Sequence, residues 1–139
     1  MKEIEFGYAE FPRPGDKLRP TANIYIINGK KSIHQPCLID TGADNCTFPL
    51  DFLPLVGIDI KRVRKNKNKE PFSCACGNKS TGYYYSIKIQ IVGYDKPIKV
   101  KALWTEFNSP PLLGREGVFD FFNVEFKKDK IVFRPRRSK

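Results

Sequence analysis

The chain has 139 residues and carries 25 Lys and Arg against 15 Asp and Glu, a formal net charge of +10. That length sustains one buried core but not two full catalytic lobes, so residues 1–139 are read as a single domain. No run of about 18 apolar residues occurs, which excludes a conventional membrane-spanning helix, and the four cysteines are too sparse for a disulfide scaffold.

Taken in chain order, the elements alternate with a period of two. The N-terminal "MKEIEFGYAEF" alternates where a secretory segment would be continuously apolar. With thiols read as reduced, this gives an expected cytoplasmic localisation. "TANIYII" and "SIHQPCLI" flank Asn28-Gly29, a dipeptide suited to the positive φ angles of a tight hairpin turn. The second of these runs drives straight into Asp40, Thr41, Gly42 and Ala43. A short helix is expected from Leu50 to Val56, interrupted by Pro54. A basic loop follows over 61–70, built on "KRVRKNKNK". In "GYYYSIKIQIVG" one face carries Tyr83, Tyr85, Ile87, Ile89 and Ile91, and the other Tyr84, Ser86, Lys88 and Gln90. After a turn from Gly93 to Pro97, "IKVKALW" repeats the pattern, so 83–104 reads as a hairpin. "PPLLGREGVF" brings two leucines into Gly114 and Arg115, with a second short helix expected from Arg115 to Phe122. "NVEF" and "KIVFRP" bracket a polar "KKDK" turn, and a basic tail spans 134–139. The expected class is all-β, barrel-like or sandwich-like, with one or two short helices.

The chemistry concentrates at Asp40. A carboxylate at the end of an apolar strand, followed by small residues, is poorly solvated unless something there uses it. Gly42 is read as permitting a sharp turn and the close approach of another chain, and Thr41 as able to hold that turn through its hydroxyl. Gly114 would let the second apolar run pack against the loop over 40–44. Arg115 would form a bidentate pair with Asp44. Each reading has a structural rival: an Asx-type turn for Asp40, a plain ion pair for Asp44 and Arg115, and solvated surface for the basic runs. Cys74 and Cys76, with Cys37, Cys46 or His34, raise the question of zinc. Their one-residue spacing departs from the common knuckle, and free thiols with no metal are favoured. His34 is read as a surface histidine.

"LIDTGAD" followed by "LLGRE" resembles the retropepsins, the retroviral-type aspartic proteases, and especially their single-domain cellular relatives. The resemblance covers roughly residues 22–126 in order of elements, with close identity confined to the two motifs. It implies an acid-protease closed β-barrel with one lobe per chain, acting as an aspartic endopeptidase. Asp40 would be the catalytic carboxylate, with Thr41 hydrogen-bonding across a dimer axis. Gly42, Ala43 and Asp44 would line the substrate backbone. Leu112, Leu113 and Gly114 would support the loop from behind, with Arg115 bracing Asp44. By position, 72–85 would be a flap hairpin, bringing Cys74, Ala75, Cys76 and Gly77 to the substrate. This chain departs from the retroviral pattern in its glycine-poor flap and in longer segments before Asp40 and after Gly114, which leave the dimer-forming sheet unassigned.

Aspartic proteases need two carboxylates that share a proton, and no other aspartate here is followed by Thr or Ser and then Gly. The second acid must then come from a second copy, giving a C₂ homodimer acting on peptide or protein substrates without a cofactor. Two other readings stay open. One is a retropepsin-like dimer that binds without cleaving; the other is a basic nucleic-acid-binding domain acting through Lys61 to Lys69, which the lack of interleaved aromatics disfavours.

Overall fold

The computed structural model describes residues 3–65, 69–73, 79–106 and 109–136, with the backbone alone at 69–73, 79 and 80. Its strands are β1 (Ile4–Gly7), β2 (Ala9–Glu10), β3 (Leu18–Arg19), β4 (Thr21–Asn28), β5 (Lys31–Ile39) and β6 (Thr47–Pro49). After these come β7 (Lys69–Ser73), β8 (Lys79–Ile91), β9 (Ile98–Thr105), β10 (Leu112–Leu113), β11 (Phe122–Phe126) and β12 (Lys130–Pro135). The main sheet runs β4-β5-β10-β6-β9-β8-β7, and β4 also pairs with β8. That extra pairing joins the two ends of a six-strand ring into a closed barrel, with β7 attached outside it.

Two-residue alternation places the core. Ile24 and Ile26 of β4, Ile89 and Ile91 of β8, and Val100, Ala102 and Trp104 of β9 are buried together inside the barrel. The outward residues Ser86, Lys88, Lys99 and Lys101 are exposed. The Trp104 indole N–H donates to the Tyr85 carbonyl at 2.9 Å, so the largest buried side chain leaves no orphaned polar atom. The expected hairpins are present: β4 pairs with β5, β8 with β9 and β11 with β12, all antiparallel. In the first, Asn28 pairs with Lys31, so the two-residue loop is Gly29-Lys30 and not Asn28-Gly29. Gly29 alone takes a positive φ, 61°, at the first loop position, where a type II′ turn calls for glycine.

A second sheet, β1-β12-β11, packs Phe6 and Phe122 edge-on against Phe133. It accounts for the alternating N-terminus, because β1 pairs with β12 from Ile4↔Phe133 to Gly7↔Lys130. It also corrects the basic tail: Arg134 lies within β12 and pairs with Glu3 and with Glu125, while residues 137–139 lie outside the described residues.

The helical expectations need revision as well. Leu50–Phe52 and Pro54–Val56 are two separate 3₁₀ turns, divided where Pro54 removes a backbone donor. Arg115–Phe119 is a kinked turn with Glu116 and Gly117 outside helical geometry. The one α-helix among the described residues, α1 (Ile60–Arg64), covers the first four residues of the stretch expected to be a basic loop over 61–70. Asp59 caps it by accepting from the Lys61 N–H at 3.0 Å, and Val63 is its buried anchor. The rest of that stretch, apart from residues 66–68, runs into β7.

Candidate active site

Asp40 follows the last residue of β5, where the chain leaves the barrel wall and returns as β6. Between these two strands lies β10, parallel to β5 through Leu112↔Leu38 and Leu113↔Ile39 and antiparallel to β6 through Leu112↔Thr47. Leu113 is fully buried in the core. Its carbonyl accepts the Asp40 N–H at 3.0 Å, so the second motif fixes the backbone of the first. Leu112, Leu113 and Asp40 are therefore brought together by direct strand pairing.

The loop is held by its own polar groups. Gly42 N–H donates to Asp40 Oδ1 at 2.9 Å, and Ala43 N–H donates to the Asp40 carbonyl at 3.2 Å. Gly42 does not take a left-handed φ, so a sharp turn is not the reason for glycine here. The Gly42 N–H on Asp40 Oδ1 forms the Asx-type turn expected as the structural rival, and any residue but proline would supply it. Asp40 is half-buried, while Thr41 and Gly42 are exposed. The Thr41 hydroxyl has no partner among the described residues, so it is not what holds the turn within one chain.

Gly114 is demanded by close approach. A Cβ there would meet the Asn45 carbonyl oxygen at 2.3 Å and the Ala43 carbonyl oxygen at 2.9 Å. Backbone N–H groups continue the contact: Arg115 donates to Ala43 O at 2.9 Å and Glu116 to Asp44 O at 2.8 Å. Arg115 and Asp44 do meet, through a single Nη2–Oδ1 contact of 3.1 Å and not the expected bidentate fork. Their side chains are 63% and 81% exposed, so water screens the pair and it contributes at most about 1 kcal/mol.

Two residues that sequence reasoning left without a role complete the support. Asn45 Nδ2 donates to Glu116 Oε2 at 2.9 Å and lies 3.2 Å from the Lys101 carbonyl, tying the loop to the turn after β10 and to β9. Their only signal in the sequence is adjacency, Asn45 after Asp44 and Glu116 after Arg115. Beneath the loop, Cys37 and Cys46 are buried free thiols. Burial pushes the Cys37 thiol well up and that of Cys46 to about 11, so both stay protonated. No group of metal-ligating side chains occurs among the described residues. His34 is exposed, edge-on to Tyr25.

The arms of the hairpin expected over 72–85 pair antiparallel as β7 and β8, from Lys69↔Tyr83 to Ser73↔Lys79. Cys74, Ala75, Cys76 and Gly77 lie outside the described residues. At its base Tyr83 Oη donates to Glu106 Oε2 at 3.0 Å, and Arg64 of α1 donates to Glu106 Oε1. The Arg64 hydrogen bond holds the Glu106 carboxyl below its ordinary range, while burial raises the Tyr83 phenol. Sequence reasoning placed Tyr83 on a strand face and Arg64 in a basic run, but linked neither to the other or to Glu106. Glu106 and Arg64 are 42 positions apart and are joined only by the fold.

No family model matches the chain, and no curated protein matches its sequence. Solved structures do match. A crystal structure of a retropepsin-like aspartic protease from Rickettsia conorii superposes with a TM-score of 0.65 at 19% identity, over 95% of this chain and 98% of that one. A protease of EIAV bound to an inhibitor matches with a TM-score of 0.42 at 21% identity, over 74% and 86% of the two chains. No helix among the described residues is long and apolar enough to cross a membrane. With its closed barrel, its inserted strand β10 and near-complete mutual coverage with the rickettsial structure, the chain has the fold of the retropepsin-like aspartic proteases.

Proposed function

We propose that this protein is an aspartic endopeptidase whose catalytic pair is Asp40 from each of two identical subunits. The observation that carries the reading is the Asp40 carboxylate itself, half-buried at a strand end with one oxygen held by the Gly42 N–H, on a loop that β10 braces from behind. The Gly42 contact by itself is an Asx-type turn; the bracing by β10 and the close approach at Gly114 are what set this aspartate apart from a plain turn former. The exposed Thr41 hydroxyl, unpartnered among the described residues, suits a contact across a twofold axis.

The chemistry follows from pairing two such acids. With one proton between them, the charged carboxylate takes a proton from a bound water while the protonated one donates to the scissile carbonyl oxygen. The gem-diol so formed collapses when the amide nitrogen is protonated and leaves, and one proton is again shared. Like charges side by side split the two ionisations, so cleavage should peak between two macroscopic steps. Ala43 and Asp44 would present the loop to the substrate backbone, and the substrate contacts expected of Cys74, Ala75, Cys76 and Gly77 belong to the same proposal. No cofactor is required.

The test is cleavage of a peptide library, and of the chain itself, across a pH series by the wild type and by Asp40→Asn and Asp40→Ala. Loss of all cleavage in both variants, with the sedimenting species unchanged as a dimer, is the expected result. Cleavage that survives Asp40→Ala, or a monomer active at every concentration, would sink the proposal. A stable dimer without cleavage at any pH would favour the binding-module reading instead.

A further inference from the structure

The barrel wall has a change of partners along one edge of β8. Residues 79–83 pair with β7 on that edge and residues 88–91 pair with β4, leaving the interval 84–87 between the two partners. A cleft of about 330 Å³ opens there, lined by Tyr85, Ser86, Ile87 and Lys88 of β8, by the Ile27-Asn28-Gly29 corner, and by Ile58 and Lys99.

Its charge is unusual for its position. Lys88 stands directly across from Lys99 in the β8–β9 ladder, and both are exposed. Like charges directly opposite in a sheet are destabilising. Lysines often protect an exposed sheet edge, but Lys88 is paired on both sides, with Ile27 and with Lys99. The ion pairs among the described residues use Arg64, Arg115, Lys130 and Arg134, and none uses Lys88 or Lys99. Lys101, next but one along β9, lies 4.7 Å over the Tyr84 ring and extends the positive surface. A net charge of +10 reinforces the field of this face.

We propose that this cleft is a second binding site, for an extended acidic polypeptide segment that carries an aliphatic side chain between its carboxylates. The lysine pair would take the carboxylates, Ser86 would supply a hydroxyl, and Ile27 and Ile58 would receive the aliphatic side chain. A single-stranded nucleic acid fits less well, because base stacking needs open aromatic faces. Among the described residues the cleft offers only Tyr85, and the neighbouring Tyr84 ring is already covered by Lys101. The site uses none of the residues around Asp40, so it stands whether or not the chain cleaves peptides.

The test measures fluorescence anisotropy of a labelled peptide of alternating Glu and Ile on the full chain, both wild type and Asp40→Asn. The same peptide with Gln for Glu and a labelled oligothymidylate serve as comparisons. Saturable binding of the acidic peptide is expected to be at least tenfold tighter than that of the Gln peptide and to weaken with salt. Lys88→Glu and Lys99→Gln should each lower affinity about tenfold or more. Lys88→Glu should at the same time raise the melting temperature, because a carboxylate opposite Lys99 replaces a repulsion. No saturable binding, affinity unmoved by both variants, or tighter binding of the oligothymidylate would overturn the proposal.

Discussion

Substituting Gly114 with alanine isolates the contact that couples the two motifs. The backbone at Gly114, φ −102° and ψ −174°, is extended and open to any residue, so alanine introduces no torsional strain. The whole effect is steric. The added Cβ would stand 2.3 Å from the Asn45 carbonyl oxygen, whereas ordinary contact begins at 3.4 Å, and the atom it meets is backbone. The loop must retreat by about 1 Å, which overpacking data translate to roughly 1–3 kcal/mol and about 3–12 °C in melting temperature. Because Asp40 N–H and Arg115 N–H bond across the same junction, the retreat moves the carboxylate, and under the proposed endopeptidase function a misplacement of about 1 Å costs on the order of 10²-fold in rate. Gly42→Ala is the control: its Cβ would meet only Asp40 Oδ1, at 3.4 Å, so stability should change by no more than about 0.5 kcal/mol. Thermal unfolding and peptide cleavage measured on both variants give the comparison. If Gly114→Ala unfolds and cleaves like wild type while the Gly42 variant is destabilised, the bracing argument is wrong.

Further outcomes follow from buried and charged groups. Glu106 is held below its ordinary pKa in the folded chain, so the stability it contributes is present above the ordinary carboxylate range and is lost as pH falls through the depressed value. Denaturant midpoints between pH 7 and pH 3 should therefore fall less steeply for Glu106→Gln than for wild type, and equal slopes would count against the Arg64–Glu106–Tyr83 cluster. Trp104→Phe shrinks a fully buried side chain and removes the indole N–H from the Tyr85 carbonyl, so it should cost about 1–3 kcal/mol in urea unfolding. Cys37 and Cys46 should resist iodoacetamide at pH 8 until the chain is unfolded, read by mass spectrometry of the labelled peptides, since both thiols are buried and stay protonated. Rapid labelling of either in the folded chain would refute their burial.

Period-two alternation and turn dipeptides were enough to expect an all-β, barrel-like or sandwich-like chain and the two motifs to single out Asp40 with Gly114, while the closed barrel was implied only by the family resemblance. The same local logic failed where one residue's geometry depends on distant partners. Ile60–Arg64 is dense in charge and looked like loop, yet Asp59 caps it and Val63 anchors it as a helix. Arg134 fell both in the KIVFRP strand and in the basic tail 134–139, and β12, paired on both sides with Glu3 and Glu125 beside Arg134, keeps it in the strand. Gly42 lies in the turn expected of it, yet without the positive φ that would call for glycine there.

The sequence alone singled out the acid at a strand end and offered Gly42 and Gly114 as close-approach glycines, since residue size and charge are legible along one chain; the structure shows that within one subunit Gly114 is the one with no room for a side chain. Only the tertiary structure decided that β10 lies between β5 and β6, that Asn45 and Glu116 tie the loop down, and that Lys88 faces Lys99. These contacts join residues tens of positions apart or set strand register. Such pairings depend on how the barrel closes, which no local pattern encodes.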